Sequence, residues 1–151
     1  MFKRILCPID FSEFTDEILE YAISIAGKYN SELHLIHIIP NLNYFTPYES
    51  FFTPENLIVV EKNMETEVNK DFDELMKKIN VPAKKIIKNG AAFVEIINYA
   101  RTESMDLIII GTHGRTGLEH ILIGSVAERV LRKSPCPVLT VRPKSRQFKM
   151  P

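Results

Sequence analysis

The segment Leu107-Ile108-Ile109-Ile110 is apolar at every position, the signature of a central strand covered on both faces in a parallel sheet. It runs straight into Gly111-Thr112-His113-Gly114, and Gly124-Ser125 follows after nine intervening residues. Glycine has no Cβ, so the backbone there can approach a bulky anion closely. Ser125-Val126-Ala127-Glu128 has the spacing of a capping box at the start of a helix. A helix start presents amides without carbonyl partners and a partial positive charge, and both favour phosphate. Strand, glycine loop and capped helix read as a nucleotide-phosphate site, or equally as a tight strand-to-helix turn with no ligand.

The rest of the chain alternates between strand and helix patterns. Ile5-Leu6-Cys7-Pro8-Ile9 reads as a first strand, with Pro8 near its exit. Phe14, Ile18, Ala22, Ile25 and Tyr29 form a helical stripe, with Ser12 as the expected N-cap and Glu13, Asp16 and Glu17 in or near the first turn. Leu33 to Ile39 is a second strand, stopped by Pro40. The loop from Asn41 to Thr53 holds Tyr44, Phe45, Tyr48, Phe51 and Phe52, expected to tuck back onto the core rather than to form a lid or partner surface. Thr53-Pro54 opens a long helix with a stripe at Leu57, Val60, Met64, Val68, Phe72, Leu75 and Ile79.

Ala83 to Lys88 reads as a shorter strand near an edge. A helix follows with Phe93, Ile96, Ile97 and Ala100 inward. After Leu107–Ile110 come a helix from Val126 to Lys133, a stop at Ser134-Pro135, a final strand Val138–Val141 and a basic tail. Five strands separated by four helices predict an α/β doubly wound parallel sheet with helices on both faces, a Rossmann-like arrangement. Ligands of such sheets bind beyond the carboxyl ends of the strands, where strand order reverses. Asp10 ends the first strand and the glycine loop ends the fourth. If those strands are neighbours, one crevice receives an anion cradle and a carboxylate.

With 151 residues, the chain is expected to be one domain over residues 1–143 with a flexible basic tail at 144–151. Nineteen basic residues balance nineteen acidic ones, which argues against a general nucleic-acid or anionic-membrane binder. No apolar run approaches the ~18 residues of a membrane span, and the N-terminal apolar stretch is too short for a signal peptide. A cytoplasmic location is the expectation. Cys7 and Cys136 read as small buried hydrophobes. His34 and His37 lie an odd number of positions apart in one strand, so they face opposite ways and cannot share a metal.

The chain resembles the universal stress protein family, ATP-binding type. That family's pattern is Gly, two residues, Gly, nine residues, Gly, then Ser or Thr, and Gly111, Gly114, Gly124 and Ser125 fill it. Ile5-Leu6-Cys7-Pro8-Ile9-Asp10, Gly124-Ser125-Val126-Ala127-Glu128-Arg129-Val130 and Ser134-Pro135-Cys136-Pro137-Val138-Leu139 are similar to it as well. The resemblance implies strand order 3-2-1-4-5, with the first and fourth strands neighbours. It implies that Asp10 accepts hydrogen bonds from ribose hydroxyls, two vicinal donors that suit a carboxylate. Pro8, Ile9 and Ile38 would wall the adenine, and Ile110 and Gly111 would lie near the adenosine. Thr112, His113 and Gly114 would lead to the phosphates. Backbone amides of Gly124, Ser125 and Val126, with the Ser125 hydroxyl, would hold the β- and γ-phosphates. Arg115 would add charge or remain a solvated arginine, and His113 would touch phosphate or steady the loop.

The cofactor implied is ATP or a related adenine nucleotide. Mg²⁺ or Mn²⁺ would be carried by the triphosphate, held by phosphate oxygens and water with Ser125 as a protein ligand. No lysine-containing phosphate loop is present, and no side chain has a spacing that makes it a catalytic base. Three readings stand: an ATP-binding stress-response or signalling module with slow or partner-dependent turnover and an unknown protein partner, an enzyme hydrolysing or transferring from ATP, and a structural dimer without nucleotide. The family also implies a homodimer. The physical motive is the last strand, whose edge would otherwise leave backbone groups unpaired.

Overall fold

Strand-forming and helix-forming stretches alternate along the described residues, 1–41, 54–112 and 123–142 of the computed structural model. In chain order they are β1 (Arg4–Pro8), α1 (Thr15–Tyr29), β2 (Glu32–Ile39), α2 (Pro54–Met76), β3 (Ala83–Asn89), α3 (Ala92–Thr102), β4 (Leu107–Gly111), α4 (Ser125–Lys133) and β5 (Val138–Val141). The strands form one five-stranded sheet in the order β3-β2-β1-β4-β5, and every pairing is parallel. This is the doubly wound arrangement, with β1 and β4 side by side.

Period-two alternation explains why the central strands have almost no polar positions. Ile5, Cys7, Leu33, Leu35, Leu107 and Ile109 point to one face, where they meet Ile18, Leu19, Ala22 and Ala26 of α1 and Phe72 and Leu75 of α2. Leu6, Ile36, Ile108 and Ile110 point to the other, against Ile96 and Ala100 of α3 and Ala127 and Val130 of α4. His34 and His37 separate accordingly. His34 bonds the Tyr99 hydroxyl of α3 at 2.9 Å and the Glu32 carboxylate at 3.0 Å. His37 lies against the Phe11 ring on the opposite side.

The edge strands differ in kind. β3 exposes Lys84, Lys85 and Lys88, charges of the sort that discourage edge pairing. Lys84 pairs with Glu32 at 3.0 Å and Lys85 with Asp73 at 2.6 Å. β5 reads Val-Leu-Thr-Val and has no such charge. Burial pushes the Cys7 thiol up to about 12, so it stays protonated and behaves as a small apolar group. Cys136 is also a free thiol, half-buried and raised for the same reason.

Several helix ends depart from sequence expectation. The residue before α1 is Phe14, and no side chain caps it. Ser12 contributes its carbonyl to the Thr15 amide, while its hydroxyl is buried without a partner. Extra residues between the expected cap and the first helical turn took Ser12 out of capping position. Ser125 is already the first residue of α4, so the expected capping box is not formed. Gly124 occupies the N-cap, without a side-chain bond, and the Glu128 carboxylate turns to Arg132 at 3.1 Å. α2 ends at Met76, yet Ile79 still packs on the core from the following turn. Tyr29 is exposed and rests edge-on against Phe2. The aromatic segment Asn41–Thr53 lies, beyond Asn41, outside the described residues, as does the basic tail.

Asp106 ties the start of β4 to the start of β1. Its carboxylate accepts the amides of Lys3 at 2.8 Å and Arg4 at 2.9 Å. The Arg4 amide bond holds its pKa below the ordinary value, with partial burial opposing and the Lys3 amide adding to the effect. A lowered folded-state pKa stabilises the fold above the ordinary carboxyl value of about 4 and is lost as pH falls through the lower folded value. Urea midpoints measured on descending pH should therefore fall in this acid window. Asp106→Asn should lower the midpoint at neutral pH and flatten that acid limb; an unchanged limb would exclude the linkage.

Candidate functional site

The β1–β4 ladder pairs Ile5 with Leu107 and Leu6 with Ile108. Beyond those residues the two strands have no ladder between them, and Pro8 has no amide hydrogen with which to extend one. A cleft of about 250 Å³ opens there, at the carboxyl ends of β1, β2 and β4. Its size is close to the lower limit of small-molecule sites, about 300 Å³. This is the reversal point of the sheet, where doubly wound folds bind ligands.

The expected site residues within the described stretches meet in this one cleft. Pro8, Ile9 and Asp10 enter from β1 and the turn after it, and Ile38 from β2. Ile110, Gly111 and Thr112 come from the end of β4, and Gly124, Ser125 and Val126 from the start of α4. His113, Gly114 and Arg115 lie outside the described residues. Ile18, Ile36, His37, Ala92, Ile96 and Ala127 also line the cleft and were not anticipated. Ile36 shares the face of Ile38 by alternation, so the period-two pattern could have found it. Ala92 and Ile96 belong to α3, and nothing local in the sequence connects that helix to the glycine loop.

The polar end is built from backbone. The Thr112 amide donates to the Val141 carbonyl at 2.9 Å, and the Thr112 carbonyl accepts the Gly124 amide at 2.6 Å. These bonds lash the exit of β4 to β5 and to the entrance of α4. Gly124 is favoured by crowding rather than by handedness: its φ is −63°, but a Cβ there would lie 3.3 Å from the Thr112 carbonyl oxygen, closer than ordinary contact. α4 then begins with the amides of Ser125, Val126 and Ala127, which have no carbonyl of their own helix to bond. The helix dipole adds partial positive charge at the same end.

The Asp10 carboxylate stands at the other side of β4's exit. Its Oδ1 accepts the Ser12 amide at 3.0 Å and the Thr15 hydroxyl at 3.5 Å. These bonds orient the carboxylate at the rim of the cleft. Between the two polar ends the wall is apolar: Pro8, Ile9, Ile36, Ile38, Ile96 and Ile110. A ligand suited to such a cleft has an apolar body, a donor group beside Asp10 and an anion beside α4. Among the described residues, no three His, Cys, Asp or Glu side chains gather as a metal site, and no helix is long and apolar enough to cross a membrane.

Gly124→Val would bring branched carbon against the Thr112 carbonyl. Overpacking of this kind costs about 1–3 kcal/mol. The melting temperature should drop while the far-ultraviolet circular dichroism of the folded protein stays unchanged; a melt identical to wild type would rule out this close approach.

Comparison with known proteins converges on one family. A sequence profile of the universal stress protein family matches residues 1–142. The chain is 32% identical over 142 residues to universal stress protein MJ0531 of Methanocaldococcus jannaschii, spanning 94% of this chain and 83% of that protein. Universal stress protein MJ0577 of the same organism is 35% identical over 161 residues, spanning 96% of this chain and 98% of its own length. Its solved structure superimposes with a TM-score of 0.84, covering 96% of this chain and 99% of that one at 32% identity. Universal stress protein UspA from Lactobacillus plantarum shares the fold, with a TM-score of 0.78 at 21% identity over 93% of this chain and 98% of that one.

Proposed function

The chain belongs to the universal stress protein family, and from that footing we propose that it is an adenine-nucleotide-binding regulatory module whose ligand is ATP. The observation that supports this most is the cleft itself: Asp10, Ile38 and the first turn of α4 border one cavity at the sheet's reversal point. In this reading the adenine lies among Pro8, Ile9 and Ile38, and Ile110 and Gly111 flank the adenosine. Asp10 accepts the ribose hydroxyls. The phosphates run past Thr112 toward the amides of Gly124, Ser125 and Val126, with His113, Gly114 and Arg115 contributing from the adjoining segment.

Mg²⁺ or Mn²⁺ fits this arrangement as an ion carried by phosphate oxygens and water, since such ions take few protein ligands beside a triphosphate. The exposed Ser125 hydroxyl at the first turn of α4 is the group that would join it. The reading assigns no catalytic residue and treats any turnover as slow or dependent on a protein partner. A structure described as a universal stress protein in complex with cAMP shares this fold at 19% identity, which makes cyclic nucleotide the natural competitor in a binding assay.

Nucleotide released from gently purified protein and identified by mass spectrometry tests the ligand directly. In calorimetry ATP should bind, and Asp10→Ala should weaken it about 10- to 100-fold, as expected for charge-assisted bonds worth ~1.5–3 kcal/mol. Unchanged affinity in D10A would remove the carboxylate from the site.

We also propose a homodimer through β5. That strand has one neighbour in the sheet, β4, and Leu139 on it is 36% exposed. Pairing with a second copy would cover its free backbone edge. Leu139→Lys should shift sedimentation from dimer toward monomer with the fold retained; a fully dimeric variant would exclude this interface.

A further inference from the structure

Asp10 sits in an unusual piece of backbone. The next residue, Phe11, has φ of +55°, a left-handed conformation that an aromatic side chain rarely adopts. Such a residue persists only when its surroundings over-determine it. Phe11 is held by two rings: His37 of β2, with centroids 5.0 Å apart, and Phe72 of α2, edge-on at 5.2 Å. On the other side of Asp10, the Ile9 amide donates to the Ile36 carbonyl at 2.9 Å. The Ile9 carbonyl receives Nδ1 of His37, also at 2.9 Å.

A carbonyl oxygen only accepts, so Nδ1 of His37 holds the proton. The Ile9 carbonyl belongs to the same peptide group as the Asp10 amide, and that group is planar. Fixing the carbonyl therefore fixes the plane from which the Asp10 side chain departs. His37 is 8% exposed and lies under this corner. It grips the turn twice, through its nitrogen at residue 9 and through its tilted ring at residue 11.

We infer that His37 is a positioning residue, which sets the direction of the Asp10 carboxylate and thereby the recognition of vicinal hydroxyls in the cleft. The inference rests on the nucleotide reading above. It separates two properties of one side chain. His37→Phe keeps a ring against Phe11 but leaves the Ile9 carbonyl without its donor. His37→Asn places an amide nitrogen close to the position of Nδ1 and keeps the donor without the ring.

The experiment is a comparison of ATP with 2′,3′-dideoxy-ATP in calorimetry, on wild type, D10A, H37F and H37N. Wild type should prefer ATP, and D10A should lose that preference. H37F should lose about tenfold in ATP affinity, the size expected for one charge-assisted bond between a misdirected Asp10 carboxylate and a ribose hydroxyl, with dideoxy-ATP affinity unchanged. H37N should retain the preference. A residue with only a structural role would weaken both ligands together and leave the ratio as in wild type, and that result in H37F overturns the inference. If wild type shows no preference, or D10A keeps it, the nucleotide reading of Asp10 fails first and takes the inference with it. Nitrogen-15 NMR of histidine-labelled wild type gives a second reading that no folding defect can obscure. Protonation of His37 at Nδ1 in the presence and absence of ATP is expected, and a ring protonated at Nε2 alone would overturn the proposal.

Discussion

The short ladder between β1 and β4 governs the rest of the molecule. Two residue pairs join these strands, Ile5 with Leu107 and Leu6 with Ile108, while β1 continues to pair with β2 as far as Pro8 and Ile36. The sheet is thus continuous at its base and parted at its top. Helices connected through β1 and β2 pack on one face, and those flanking β4 pack on the other. Every group that lines the cleft reaches it because the two halves of the sheet separate at that point.

The cleft draws its two polar ends from opposite kinds of chemistry. At α4 the positive end is backbone: amides, a helix dipole, and a glycine that lets Thr112 and Gly124 approach. No lysine or arginine among the described lining residues is required for it. At Asp10 the negative end is one side chain, oriented by Ser12 and Thr15 and seated on a strained turn. Apolar isoleucines separate the two ends.

The two sheet edges divide the outer surface in the same economical way. Lysines on β3, tied to Glu32 and Asp73, keep that edge solvated. β5 lacks any such charge and exposes Leu139 instead. A sheet with one protected edge and one bare edge leaves the bare one as the edge that the proposed homodimer would cover.

Alternation of apolar residues is a property of neighbours in the chain, so the five strands, the four helices and the strand and helix periods were legible from residues alone. The all-apolar β4 marked itself as central, and β3 read as a strand near an edge, which is where it lies. Local spacing misled at Ser12 and Ser125, because a cap depends on where the helix begins, and packing moved that point by one to a few residues. Strand order was legible only through resemblance to a known family, since no local pattern tells β1 that it lies beside β4, about a hundred residues away. The bond from His37 to Ile9 and the α3 wall of Ala92 and Ile96 were decided by tertiary structure alone. They join residues far apart in sequence, and their energy exists only once the sheet has brought those residues together.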